Sequence, residues 1–160
     1  MIAKRKGFTL IELLVVIAII GILATIVLVS LNTARQKARD VRRIGDLRQV
    51  ALALEMYYDD TRYYPAIAGP GVTCTSATWT TMSTAISGGG YMTAVPSDPL
   101  NNTTYFYAYG TENSATPQKY ALKAGLEANN NALATDVDAS IYGCACADGA
   151  SAPFIYCIQP

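Results

Sequence analysis

An unbroken apolar run from Phe8 to Val29, carrying a single charged side chain, Glu12, constrains this chain more than any other feature. As a helix it would extend about 33 Å at ~1.5 Å per residue, which matches a hydrocarbon core of roughly 30 Å. In a chain of 160 residues there is too little protein to surround a helix that is apolar on all sides. The segment therefore reads as membrane-spanning. A secretory signal peptide is a competing reading, with Lys4, Arg5 and Lys6 as its basic head. Such peptides have a shorter apolar core, roughly 7–15 residues, followed by a small-x-small cut site, and no clean site follows here. A plain signal anchor is the other competitor, and it gives no reason for Glu12. A carboxylate costs roughly 2.5–3.5 kcal/mol at the bilayer centre and less near the interface. Its natural compensation is a cation at the same depth. Cleavage after Gly7 would create one, the α-amino group of Phe8, about one helical turn from Glu12.

After Val29 the apolar pattern becomes periodic. Ala34, Ala38, Val41, Ile44, Leu47, Ala51, Leu54 and Tyr58 recur every three or four residues, as on one face of a helix. Arg35, Arg39, Asp46 and Gln49 fall on the other faces, and the alternation of Arg with Asp40 and Asp46 reads as a solvated surface. No proline occurs before Pro65. One helix is expected from about Phe8 to about Tyr58, stopped by the stretch Asp59 to Pro65. Trp79, Met82 and Ile86 share a helical face and predict a short helix over 76–87, ended by Gly88, Gly89 and Gly90. The alternating segments 104–109 and 119–125 predict antiparallel strands, with a third over 154–158. The fold class is α+β: a long N-terminal helix, transmembrane in its first half, packed on a small antiparallel sheet.

Formal charge is balanced, with twelve basic and twelve acidic residues, but unevenly placed. Residues 30–58 hold six basic side chains, whereas beyond Tyr58 only Arg62, Lys119 and Lys123 face eight acids. An acidic outer domain argues against general nucleic-acid binding, which needs clustered positive charge. Histidine is absent, which removes the commonest general base. No nucleophile–base–orienter set and no phosphate-binding glycine loop is visible, so no enzymatic activity and no obligate cofactor are expected. Four cysteines, Cys74, Cys144, Cys146 and Cys157, all lie beyond the apolar run. In an exported domain they suggest disulfides. Cys74 with Cys144 and Cys146 with Cys157 is the favoured pairing because a bridge between Cys144 and Cys146 would be strained, although three connectivities are open.

The stretch Lys4-Arg5-Lys6-Gly7-Phe8-Thr9-Leu10-Ile11-Glu12 resembles the class III signal of type IV prepilins and type II secretion pseudopilins. The resemblance implies cleavage between Gly7 and Phe8 by a prepilin peptidase on the cytoplasmic side, N-methylation of Phe8, and a docking role for Glu12 during assembly. A looser similarity to major pseudopilins continues through Leu54-Glu55-Met56-Tyr57-Tyr58, Asp60 to Pro65, Trp79, Pro96-Ser97-Asp98-Pro99 and the aromatic stretch 105–109. Major pseudopilins often bind calcium late in the domain. Asp136, Asp138 and Asp148 are the weak candidates here, without EF-hand spacing, and a solvated acidic loop is the better reading of them.

The implied organisation is a leader over 1–7, a transmembrane and filament-core helix over 8–29, an amphipathic continuation over 30–58, and an extracytoplasmic α+β domain over 59–160. The implied partners are copies of the chain, related minor pilins, the peptidase, an inner-membrane assembly platform and membrane lipids. A secretion pseudopilin is the leading expectation. The alternatives are a surface pilin for adhesion, motility or DNA uptake, and a non-polymerising membrane-tethered binding domain. Two features run against the pattern. Relatives often carry Pro where Val29 stands. The basic residues at 35–43 outnumber those of the leader, so charge counting alone would place that segment inside.

Overall fold

The absence of proline between Phe8 and Tyr64, together with a run of good helix formers, yields a single long helix. In the computed structural model, which describes residues 8–67, 73–147 and 149–160, this helix α1 is Leu10–Thr61. It ends at Arg62, whose positive φ of 65° turns the chain out of the helix. The chain divides after Gln36 into two compact units. Within the first, every residue from Phe8 to Gln36 is exposed.

In the second unit, α1 buries Ile44, Leu47, Val50, Ala53 and Leu54 against the domain. Helix α2 (Ser76–Gly88) starts at a reciprocal cap between Thr75 and Thr78, which satisfies two of the amides left open at a helix start. As the 3–4 spacing predicts, it buries Trp79, Met82 and Ile86. Strands β1 (Tyr107–Thr111), β2 (Tyr120–Leu126) and β3 (Phe154–Ile158) form one antiparallel sheet in that order, with Tyr109 opposite Leu122 and Ala124 opposite Tyr156. The architecture is the expected α+β arrangement.

One face of the sheet supplies Tyr107, Tyr109, Tyr120, Leu122 and Leu126 to the main core shared with α1 and α2. The other supplies Ala108, Ala121 and Cys157 to a second, smaller core with Cys74, Cys144 and Cys146. Cys74 is bonded to Cys144 and Cys146 to Cys157. The cysteine-bearing tail thus covers the face that would otherwise meet water. This explains why β2 is buried on both sides rather than alternating. Gly110 permits that cover: a Cβ there would lie 2.4 Å from the Tyr142 carbonyl oxygen and 2.8 Å from Cys144 Sγ. The open edge of β3 is engaged at Cys157, whose N–H donates to Asp136 Oδ2 and whose carbonyl accepts from Val137 N.

Three expectations need correction. Val41, expected on the buried face of α1, is 65% exposed. Asp40 and Arg43, expected at a solvated surface, are buried. The buried stripe is Asp40, Arg43, Leu47, Val50 and Leu54, at 3–4 spacing, with ion pairing admitting the two charged members. Strand β1 starts at Tyr107 rather than at 104, because Asn102 Oδ1 accepts from the amides of Thr104 and Tyr105 and holds them in a turn.

Candidate functional site

The first turn of α1 is built around Thr9 and Glu12. Thr9 N donates to Glu12 Oε2 at 2.8 Å, Thr9 Oγ1 donates to the same oxygen at 2.7 Å, and Glu12 N donates back to Thr9 Oγ1 at 3.3 Å. This is a capping box. Its signature, Thr-x-x-Glu ahead of an apolar run, stands in the sequence. A carboxylate at this position also meets the positive end of the helix dipole. The box satisfies amides at the helix start, but Thr9 is neutral and leaves the net charge of Glu12 uncompensated. Among the described residues no ion pair reaches Glu12, and both hydrogen bonds to its carboxylate fall on Oε2, leaving Oε1 able to accept from another partner.

Below this head the helix is apolar on every side. Ile17, Ile20, Leu23, Ile26 and Val29 are all at least half exposed. The most apolar stretch of α1 has a mean hydropathy of 3.1 and none of it is buried within the chain, so α1 is long and apolar enough to cross a membrane. Its few polar side chains are satisfied internally: Thr25 Oγ1 donates to the carbonyl of Ile22 at 2.8 Å. Glu12 is thus the one group in the run whose charge calls for something outside its own helix. Phe8 is 88% exposed beside it. Gly7 lies outside the described residues.

The second unit holds a buried charge cluster that the sequence reading missed. Arg43 donates through Nε and Nη2 to Asp98 at 2.7 and 3.1 Å, and through Nη1 to Asp40 at 2.7 Å and to Glu127 at 2.8 Å. Its guanidinium carbon lies 4.9 Å from the centre of the Tyr105 ring. Arg39 grips both oxygens of Glu127. Asp40 also accepts from the amides of Glu127 and Ala128, and Asp98 from those of Leu100 and Asn101. Burial works against the charge on Arg43, but the hydrogen bonds it donates to the three carboxylates outweigh it and raise its pKa. The hydrogen bond from Arg39, opposed by burial and aided by Arg43, holds the Glu127 carboxyl below its ordinary range. The cluster joins α1 to the Pro96–Pro99 turn and to the end of β2. Its sequence signal was two charged residues in phase with an apolar stripe.

Asp136 Oδ2 is engaged by Cys157 N, Asp138 is exposed and Asp148 lies outside the described residues. Among the described residues no three His, Cys, Asp or Glu side chains come together.

An apolar helix of membrane length, headed by a carboxylate and leading into a small α+β domain, defines a pilin-like subunit. The prokaryotic N-terminal methylation motif matches residues 2–28. The chain is 34% identical over 100 residues to type II secretion system core protein G of Escherichia coli, covering 62% of this chain and 69% of that one. It is 33% identical over 110 residues to core protein G of Pseudomonas aeruginosa, covering 68% and 78%. A shorter match, 46% over 61 residues, covers 38% of this chain and 47% of the type IV wide pilus major component of Thermus thermophilus. No solved structure matches significantly. The chain belongs to the family of type II secretion system core protein G and is a pseudopilin structural subunit.

Proposed function

We propose that this pseudopilin is inserted with residues 1–7 in the cytoplasm and its domain outside, is cut between Gly7 and Phe8, and is N-methylated on Phe8. It then polymerises through the 8–29 helix into a filament of a type II secretion apparatus. Glu12 carries the proposal, as the lone charge in an apolar helix with an oxygen able to accept a further hydrogen bond. Cleavage supplies an ammonium at the matching depth. Glu12 of one subunit accepts from the Phe8 amine of its neighbour, which removes an uncompensated charge from each. In apolar surroundings such a pair is favoured over two separated charges. The neighbouring 8–29 helices pack around it as the filament core.

The partners that follow are further copies of the chain, minor pilins, a prepilin peptidase and an assembly platform in the inner membrane. Similarity to core protein G over more than half the chain supports secretion. The match to a pilus component favours a surface pilus as the second reading, but it covers less of this chain. The test is Glu12→Ala in cells that make the filament. The variant is expected to reach the membrane at wild-type level and to be missing from sheared filaments; its normal incorporation would overturn the pairing.

A further inference from the structure

Between Arg62 and Glu112 the only charged residue is Asp98. Asp98 is buried, and Arg43 with the amides of Leu100 and Asn101 holds both of its oxygens. The surface that this stretch builds, α2 included, therefore presents no free charge. A cleft of about 370 Å³ opens on it between the start of α2 and the turn at 97–101. A second, of about 440 Å³, shares Ser76 and Asn101 with the first and continues to Thr103 and Phe106. Volumes of this order hold small ligands. The polar groups along the cleft are free. Every other hydroxyl of α2, from Thr78 to Ser87, donates to a backbone carbonyl. Ser76 Oγ does not. Among the described residues the side chains of Ser97, Asn101 and Thr103 also make no hydrogen bond. The frame around them is fixed. Trp79 Nε1 donates to the carbonyl of Pro96 at 3.2 Å, Arg43 clamps Asp98, and Asn102 Oδ1 accepts from two amides.

We infer that this cleft binds a neutral glycan, a chain of uncharged sugar units. Sugar hydroxyls both donate and accept. So do the hydroxyls of Ser76, Ser97 and Thr103 and the amide of Asn101, which lets a sugar replace the water of the cleft bond for bond. Phe106, half-buried, offers an apolar surface to the C–H face of a sugar ring. A frame that is already ordered loses little freedom on binding. The lack of charge gives a nucleic acid or an acidic polymer nothing to hold. A protein partner is the poorer fit, because interface cores favour aromatic side chains and arginine and are depleted in serine. The inference is independent of the polymerisation reading, which concerns the 8–29 helix.

The experiment uses the full chain, isotope-labelled for NMR, in micelles of a zwitterionic detergent that carries no sugar. Triacetylchitotriose and maltotriose are the neutral probes, and trigalacturonate is the anionic control. At least one neutral probe should shift the amide signals of Ser97, Asn101 and Thr103 saturably, with half-saturation on the order of 1 mM. The amides of β3 should stay in place, and trigalacturonate should move none of these signals. Asn101→Gly removes the amide side chain and suits the left-handed backbone at that position, where φ is 44°. Ser76→Ala removes the free hydroxyl of α2. Each variant should keep its Trp79 fluorescence and bind roughly threefold to tenfold more weakly, the worth of one hydrogen bond. No saturable shift with either neutral probe, shifts centred outside the cleft, equal binding of trigalacturonate, or full affinity in either variant would each overturn the inference and leave the polymerisation reading standing.

Discussion

Replacing Arg43 by Leu should be the most damaging single change to the folded domain. The guanidinium is fully buried and holds Asp98, Asp40 and Glu127 at 2.7–3.1 Å. Removing it leaves three carboxylates facing one another with Arg39 as the remaining cation, and Arg39 reaches only Glu127. Breaking a buried pair by deleting one partner costs about 3–5 kcal/mol. The backbone amides that hold Asp40 and Asp98 remain in place, which sets the expectation at the lower end, about 3 kcal/mol. Arg43→Lys keeps the charge but loses the planar fork, and should cost roughly half as much.

The loss depends on pH with a definite sign. In the wild type the Glu127 pKa is lowered on folding. Its contribution is therefore full above the ordinary glutamate value of roughly 4.3 and disappears as pH falls through the lower folded value. In Arg43→Leu, Glu127 loses one of the two guanidiniums that hold its proton off, so less of that contribution is there to lose. The difference between variant and wild type should be largest at pH ~7 and shrink as pH falls below the ordinary glutamate value of roughly 4.3. Guanidinium titration of the detergent-solubilised chain reads this directly. The sole tryptophan, Trp79, is buried 5.1 Å from the Tyr107 ring and reports the packing of α2 on the sheet. A loss under ~1 kcal/mol at neutral pH, or one that does not shrink as pH falls below ~4, would refute this account of the cluster.

Gly110→Ala should destabilise the domain by roughly 1–3 kcal/mol, because its Cβ would strike the Tyr142 backbone and Cys144 Sγ; the same denaturation assay checks this. Reducing both disulfides should lower stability by up to about 4 kcal/mol for the long Cys74–Cys144 loop and about 3 kcal/mol for Cys146–Cys157 in the chain-entropy treatment. Peptide mapping without reduction should recover those two linked pairs and no other. Thr9→Val removes one half of the capping box, at about 1 kcal/mol of local helix stability; circular dichroism of the 8–36 peptide in micelles should show fraying confined to its first turn.

Much of the fold could be read locally. Proline-free periodicity gave α1, a 3–4 stripe of Trp79, Met82 and Ile86 gave α2, and alternation gave the strands. What escaped the reading was set by distant partners. Arg43 and Asp40 look like surface charges until Asp98, 55 positions from Arg43, and Glu127, 84 positions from it, are brought alongside. Once those two charges occupy the core stripe, helical phase turns Val41 outward. The start of β1 depended on one asparagine side chain competing for two amides. Burial of both faces of β2 depended on the cysteine-rich tail, whose connectivity spacing alone left open. At the assembly end the position was reversed. Thr9 and Glu12 stand three positions apart, at the spacing of a capping box, so the carboxylate's service to its own helix is legible in the sequence.

The proposed coupling between maturation and polymerisation meets its most direct test in the intact mass of subunits recovered from sheared filaments, with fragmentation to locate the N-terminus. Chains that begin at N-methylated Phe8 are expected. Filament subunits that still carry residues 1–7 would contradict the account, because Glu12 would then have been buried in the polymer without the ammonium that cleavage supplies.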